Sequence, residues 1–269
     1  MPDGALQDRK IALRGVVCTQ KALAIETAAA VEGTWRTGLP RESEEDAMVD
    51  VALQRKNMVE SQVRPSDITD RQILNAMSDV PREAFLPTAL KPIAYIDEAL
   101  ILAKAESGTP ARGMMAPRSF AKLLQYAAIS RGDVVLDVGA MTGYSAAVIA
   151  RLAQTVVVLE ENPAMADAAA KTLEQLGVDN AAVVVGDLAV GYPSEGPYDV
   201  IVVEGAVEEI TAGLLDQLKE GGRLVTIEAG LPSVGVVWTR FGRNFDRRVA
   251  FEATAPAVPG FEKKKEFVL

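Results

Sequence analysis

The sequence contains no histidine, and that absence excludes a great deal of chemistry. A serine–histidine triad, a histidine general base and histidine-bound zinc are all ruled out. Cysteine occurs once, at Cys18, so neither an intramolecular disulfide framework nor a cysteine-cluster metal site can form. A single cysteine suits a reducing, cytoplasmic compartment. Excess positive charge is missing too. Lys and Arg number 28 against 37 Asp and Glu, a net charge of −9, so there is no global basic field for nucleic acid. No unbroken run of about 18 apolar residues exists, so no transmembrane helix is expected. Residues 11–30 are apolar but interrupted by Arg14, Lys21 and Glu26, unlike the continuous centre of a secretory signal.

What is present is a chain that can bury a large core, being 49% hydrophobic and 24% charged over 269 residues. Residues 1–47 read as an extension, with an alanine-rich helix over 11–31 and a polar, acidic linker over 33–46. Residues 48–269 read as the folded domain. Its first helix spans 49–63 and stops at Arg64-Pro65. Thr69 and Gln72 have capping-box spacing ahead of a second helix that ends near Val80-Pro81. Residues 82–92 read as a turn-rich crossing and 93–102 as mixed. Ser119 is the expected N-cap of a helix whose buried stripe is Phe120, Leu123, Leu124, Ala127 and Ala128.

From residue 133 onward strands and helices alternate. Strands are expected at the valine-rich run ending in Asp137-Val138, then at 155–159, 181–185, 198–203 and 223–227. Asn162 with Pro163 opens one intervening helix, and a second is expected over 207–218. Residues 234–241 and 247–252 flank Gly242-Arg243-Asn244, a hairpin signal. The fold class is α/β: a doubly wound, mostly parallel Rossmann-like sheet closed by an antiparallel C-terminal edge pair, with N-terminal helices.

The chain is organised around Asp137-Val138-Gly139-Ala140-Met141-Thr142-Gly143, a strand, a tight glycine turn and a helix start. Its glycines follow G-x-x-x-G and not the G-x-G-x-x-G of a dinucleotide site, which disfavours a nicotinamide cofactor. Hydrophobic-Asp-x-Gly-x-x-x-Gly instead resembles motif I of methyltransferases that use S-adenosyl-L-methionine. Ligands of open α/β sheets lie beyond the C-terminal strand ends. Four acids are expected there: Asp137, Glu160, Asp187 and Glu204. Glu160, 21 residues beyond Gly139, suits a ribose diol. Asp187 is placed to reach an adenine amino group, with Leu188 beside it, and Asp137 to hold an ammonium.

With these residues assembled, the chain from about Met48 onward resembles the protein-L-isoaspartate O-methyltransferase family. The supporting stretches are Val80-Pro81-Arg82-Glu83-Ala84-Phe85-Leu86-Pro87, Ala94-Tyr95, Val185-Gly186-Asp187 with Gly191-Tyr192-Pro193, and Tyr198-Asp199-Val200-Ile201-Val202-Val203. Leu214-Leu215-Asp216-Gln217-Leu218-Lys219-Glu220-Gly221-Gly222 adds to them. The resemblance implies methylation of L-isoaspartyl residues in damaged proteins or peptides, with S-adenosyl-L-methionine as donor. It implies no metal, nucleic acid or membrane partner, and leaves oligomeric state open. Donor contacts are expected from Asp137, Gly139, Ala140, Met141, Thr142, Gly143, Glu160, Asp187 and Leu188. The chain departs from the family at two points. An Ile-Ser-x-Pro segment reads Met114-Met115-Ala116-Pro117 here, placing Met115 where a serine hydroxyl would steady the substrate carboxylate, and Glu204 replaces a small residue. A thioether cannot donate a hydrogen bond. Two readings therefore stand, an active isoaspartyl methyltransferase and a family member that keeps the donor with lost or altered transfer. On the sequence alone, Met115→Ser is expected to speed methylation about tenfold.

Overall fold

A computed structural model describes residues 44–106 and 109–263. The expected helix over 11–31 and most of the expected linker lie outside the described residues. Glu44, Glu45 and Asp46, expected to belong to that linker, instead open helix α1 (Glu44–Met58), which runs into a π-helical turn, Val59–Val63. Among the described residues no helix is long and apolar enough to cross a membrane.

The core is a seven-stranded sheet. Its strands are β3 (Val134–Val138), β4 (Thr155–Glu160), β5 (Ala181–Val185), β6 (Tyr198–Val207), β7 (Leu218–Glu228), β8 (Val234–Phe241) and β9 (Asn244–Glu252), in the order β5-β4-β3-β6-β7-β8-β9. The first five pair in parallel, and β8 and β9 add antiparallel. The chain leaves β3 in one direction through β4 and β5, then returns to β3's other side for β6. That reversal opens a crevice at the C-terminal ends of β3 and β6.

Strand periodicity explains which acids meet there. Val156 and Val158, Val135, and Val200 and Val202 share one apolar core. Val157 and Leu159, Leu136 and Val138, and Ile201 and Val203 share the other. Alternate residues point to opposite faces, so Asp137 and Glu160 are carried to the first face, as is Glu204 at the next alternate position on β6. The first face is covered by α2 (Arg71–Asp79), α3 (Pro117–Ala127) and α4 (Tyr144–Ala150).

Helix α5 (Pro163–Gln175) begins as expected: Asn162 Oδ1 accepts from the Ala164 and Met165 N–H groups at 2.9 and 3.2 Å. Several other expectations are corrected. The N-cap of α2 is Asp70, which accepts from Gln72 N–H at 2.8 Å, while the Thr69 N–H donates to Gln125 on α3. Helix α3 starts at Pro117 after Ala116, because proline's fixed φ suits the first helical position; Ser119 is buried inside it. The helix expected over 207–218 is only α6 (Ala212–Leu215), since β6 continues to Val207 and β7 starts at Leu218. Residues 93–102 hide the start of a small antiparallel pair, β1 (Leu100–Ala103) with β2 (Arg112–Met114).

Candidate active site

The glycine turn after β3 takes dihedrals that need its sequence. Gly139 and Gly143 have φ of +80° and +92°, and Met141 between them has +54°. Gly143 closes on α5: a Cβ there would meet the Ala169 Cβ at 3.0 Å. Thr142 Oγ1 donates to the Phe85 carbonyl at 2.7 Å, tying the turn to the Val80–Pro87 stretch.

Asp137 is fully buried. Its Oδ2 accepts from Ser145 Oγ at 2.7 Å, whereas Oδ1 has no partner among the described residues. Burial pushes its carboxyl up to about 7; the Ser145 hydrogen bond opposes that and the Glu160 charge adds to it.

Glu160 is also fully buried, but its oxygens are committed. Arg112, from β2, donates Nη1 to Oε1 at 2.6 Å and Nη2 to Oε2 at 2.8 Å. The Met141 and Asn162 N–H groups each donate at 2.9 Å. Arg112 itself is 5% exposed. Asp187 is exposed and caps a turn, accepting from Ala189 and Val190 N–H at 2.9 and 3.1 Å. Leu188 is buried. With Val258 and Arg112 it crowds Gly139, where a Cβ would lie 3.5–3.7 Å from all three. Val258 is brought there by the C-terminal segment, which bridges β6 through Ala206 N–H to the Pro256 carbonyl at 2.8 Å and Val258 N–H to the Ala206 carbonyl at 2.9 Å.

Next to the turn lies a cavity of about 20 Å³, counted as space open to the centre of a water molecule. Arg82, Met115, Phe120, Met141, Tyr144 and Glu204 are among the residues that line it. Arg82 is fully buried. Its Nε donates to the Ala94 carbonyl at 2.9 Å and Nη2 to the Met115 carbonyl at 2.7 Å, and its guanidinium lies 4.8 Å from the Tyr144 ring centroid. Met115 is 2% exposed and packs in the main core, so its side chain fills space in that wall. Burial raises the Glu204 carboxyl well above the ordinary range, with the Asp137 charge adding and Arg82 opposing.

The donor's chemistry fits this set. An unpaired buried carboxylate oxygen at Asp137 suits a ligand ammonium, and the glycine turn lets a ligand approach the backbone. Glu160 can serve a diol only once Arg112 leaves it. Sequence reasoning missed Arg112, Tyr144 and Ser145 and took Arg82 only as part of a motif. Arg112 stands 48 positions before its partner, with no spacing rule to signal the pair.

Residues 53–232 match the family model described as Protein-L-isoaspartate(D-aspartate) O-methyltransferase. A protein-L-isoaspartate O-methyltransferase of Methanoculleus marisnigri is 41% identical over 172 residues, 64% of this chain and 76% of that one. One of Koribacter versatilis is 37% identical over 187 residues, 70% and 81% of the two chains. A solved protein-L-isoaspartate O-methyltransferase superposes with a TM-score of 0.67 at 26% identity, over 77% of this chain and 66% of that one. A putative Plasmodium falciparum enzyme of that kind, solved with S-adenosyl-L-homocysteine, gives 0.63 at 21% identity, over 75% and 96%. The chain belongs to the protein-L-isoaspartate O-methyltransferase family, whose enzymes use S-adenosyl-L-methionine.

Proposed function

We propose that this chain transfers a methyl group from S-adenosyl-L-methionine to the free carboxylate of L-isoaspartyl residues in damaged proteins. The observation that carries the reading is the buried Asp137 carboxylate, with one oxygen unpaired beside the glycine turn, in a chain of this family. The donor, when bound, supplies a methyl group already activated by its sulfonium charge. Asp137 holds the ammonium end, and residues 139–143 offer backbone to the ligand. Glu160 would take the ribose hydroxyls once Arg112 has left it, and Asp187 and Leu188 would flank the adenine.

The acceptor carboxylate is ionised at neutral pH and needs no general base, so a chain without histidine loses nothing. Positioning and exclusion of water supply the rate. Residues 48–269 form the catalytic domain, preceded by an extension, and the compartment is cytoplasmic, in keeping with the single cysteine.

The alternative, donor binding with lost or altered transfer, draws on one observation: at the family's serine position the buried Met115 side chain offers no donor. Calorimetry with S-adenosyl-L-homocysteine tests donor binding. Methyl transfer to an isoaspartyl peptide, against its aspartyl isomer, separates the two readings; transfer to neither peptide overturns the proposed activity.

A further inference from the structure

Three residues on the wall of the small cavity each carry a buried polar atom that makes no close hydrogen bond among the described residues, Arg82 Nη1, Tyr144 OH and Glu204 Oε1, with the Arg82 and Tyr144 side chains near enough to interact with each other. Buried polar atoms without partners are uncommon, and each costs about 1–3 kcal/mol. Three around one cavity of this size can be completed by a bound polar group, whether a ligand's or a water's. Resting on the function proposed above, we infer that Arg82, Tyr144 and Glu204 form the acceptor-carboxylate site, with Glu204 supplying the O–H donor that Met115 lacks.

The ligand's chemistry follows from the donor count. Arg82 Nη1 carries only N–H groups, and Tyr144 OH can donate. Arg82 is rigid, because Nε and Nη2 are already bound to the Ala94 and Met115 carbonyls. Its remaining nitrogen is an oriented cationic donor, which suits an anion. Glu204 joins such a site only if its carboxyl is neutral, since a carboxylate would repel the substrate.

The surroundings of Glu204 keep it neutral. Asp137 from β3 faces it with like charge, Arg82 and Tyr144 face it from the other elements, and Met114 and Met115 bring no charge. The Arg82 guanidinium favours the ionised form, but burial and the Asp137 charge outweigh it, and no ion pair joins Arg82 to Glu204 among the described residues. A protonated carboxyl then presents one O–H, the functional equivalent of the absent serine hydroxyl. The cavity fits one or two water-sized groups, the scale of a carboxylate's oxygens, at the side of the turn where Met115 stands.

The test is equilibrium binding of a fluorescent isoaspartyl peptide to the full chain saturated with S-adenosyl-L-homocysteine, read by anisotropy from pH 6 to pH 9. Wild type should bind less tightly as pH rises and Glu204 ionises. Glu204→Gln, which keeps a donor but cannot ionise, should stay within about threefold of wild type at pH 6 and lose the pH dependence. Glu204→Ala should bind at least tenfold more weakly. Equal losses in the Gln and Ala variants would overturn the inference, because a base or a purely structural carboxylate behaves that way. A second readout does not need the peptide: in carboxyl-13C-glutamate protein, the resonance missing from Glu204→Gln should report a protonated carboxyl at pH 6. An ionised Glu204 there overturns the inference. Failure of wild type to bind the peptide with Glu204 protonated overturns the proposed substrate and, with it, the site.

Discussion

The Arg112–Glu160 pair makes a quantitative prediction that a surface acid would not. Glu160→Ala removes the acceptor of four hydrogen bonds, two from Arg112 and two from the Met141 and Asn162 N–H groups. It leaves a guanidinium 5% exposed without its partner. Breaking a buried pair from one side costs about 3–5 kcal/mol. The lower end applies, because Glu161 Oε1 lies 3.4 Å from Arg112 Nη1 and can take over part of the charge. At about 2–4 °C per kcal/mol for a chain of this size, melting should fall by about 6–12 °C. Donor binding should weaken independently by about 1.5–3 kcal/mol through the lost ribose acceptor. The informative control is Arg112→Ala. It also destabilises, less severely, since Glu160 keeps two backbone donors. If Glu160 is the ribose acceptor proposed above, this variant removes the group that occupies it, so S-adenosyl-L-homocysteine should bind at least as tightly as to wild type. Calorimetry and thermal melts on both variants suffice. Glu160→Ala melting within about 2 °C of wild type, or Arg112→Ala abolishing binding, would refute the account of Arg112 as an occupant of the ribose acceptor.

Other expectations follow from the same geometry. Asp137 holds its proton more tightly when folded, with its carboxyl raised to about 7, so its contribution to stability is complete below the unfolded value near 4 and is lost as pH rises through about 7; melting temperature should fall across that window, and Asp137→Asn should flatten the slope. S-adenosyl-L-homocysteine affinity should move the other way, rising with pH as Asp137 ionises, and isothermal titrations at pH 5.5 and 8 would show it. If Glu204 supplies the missing donor, Met115→Ser in the wild-type background should raise isoaspartyl methylation by less than about threefold, and in the Glu204→Ala background it should recover about tenfold, one hydrogen bond's worth. A chain starting at Met48 should melt within a few degrees of the full one, and a larger drop would show that the preceding residues support the domain.

The sheet could be read from the sequence because its central strands β3, β4 and β6, buried on both faces, appear as valine-rich runs. The fate of residues 207–218 could not. Strand β6 continues past Gly205 because Ala206 pairs with Pro256 and Val258, some fifty residues away. A Cβ at Gly205 would lie 2.5 Å from the Pro256 carbonyl oxygen, so the glycine is there for a close approach that leaves no local trace. The cap of α2 went to Asp70 rather than Thr69 for a similar reason: Gln125, on another helix, takes the Thr69 N–H. The positions of Asp137 and Glu160 were legible because the apolar runs they close are local, whereas Glu204, expected just past a strand, lies inside β6. Their partners Arg112, Tyr144 and Ser145 were not, since their roles arise only once β2 and α4 pack against the ends of β3 and β4.

The pattern of compensation on that face says something the acids alone do not. Three carboxyls, Asp137, Glu160 and Glu204, are carried to one side of three adjacent strands and shut largely or wholly from water. They cannot all be charged there at tolerable cost. Glu160 is neutralised by Arg112 and two N–H groups, whereas Asp137 and Glu204 are pushed toward retaining protons. Such a crevice favours a cationic ligand, which lets Asp137 ionise, and works against an anionic one. An acceptor carboxylate therefore needs both a fixed cation and a suppressed negative charge beside it. Arg82 provides the first, with one nitrogen free of any backbone carbonyl, and the proton on Glu204 provides the second. The order of events follows: a cationic donor would balance the charge of ionised Asp137 and bring its own sulfonium charge to the crevice, so the carboxylate should bind better after the donor than before it.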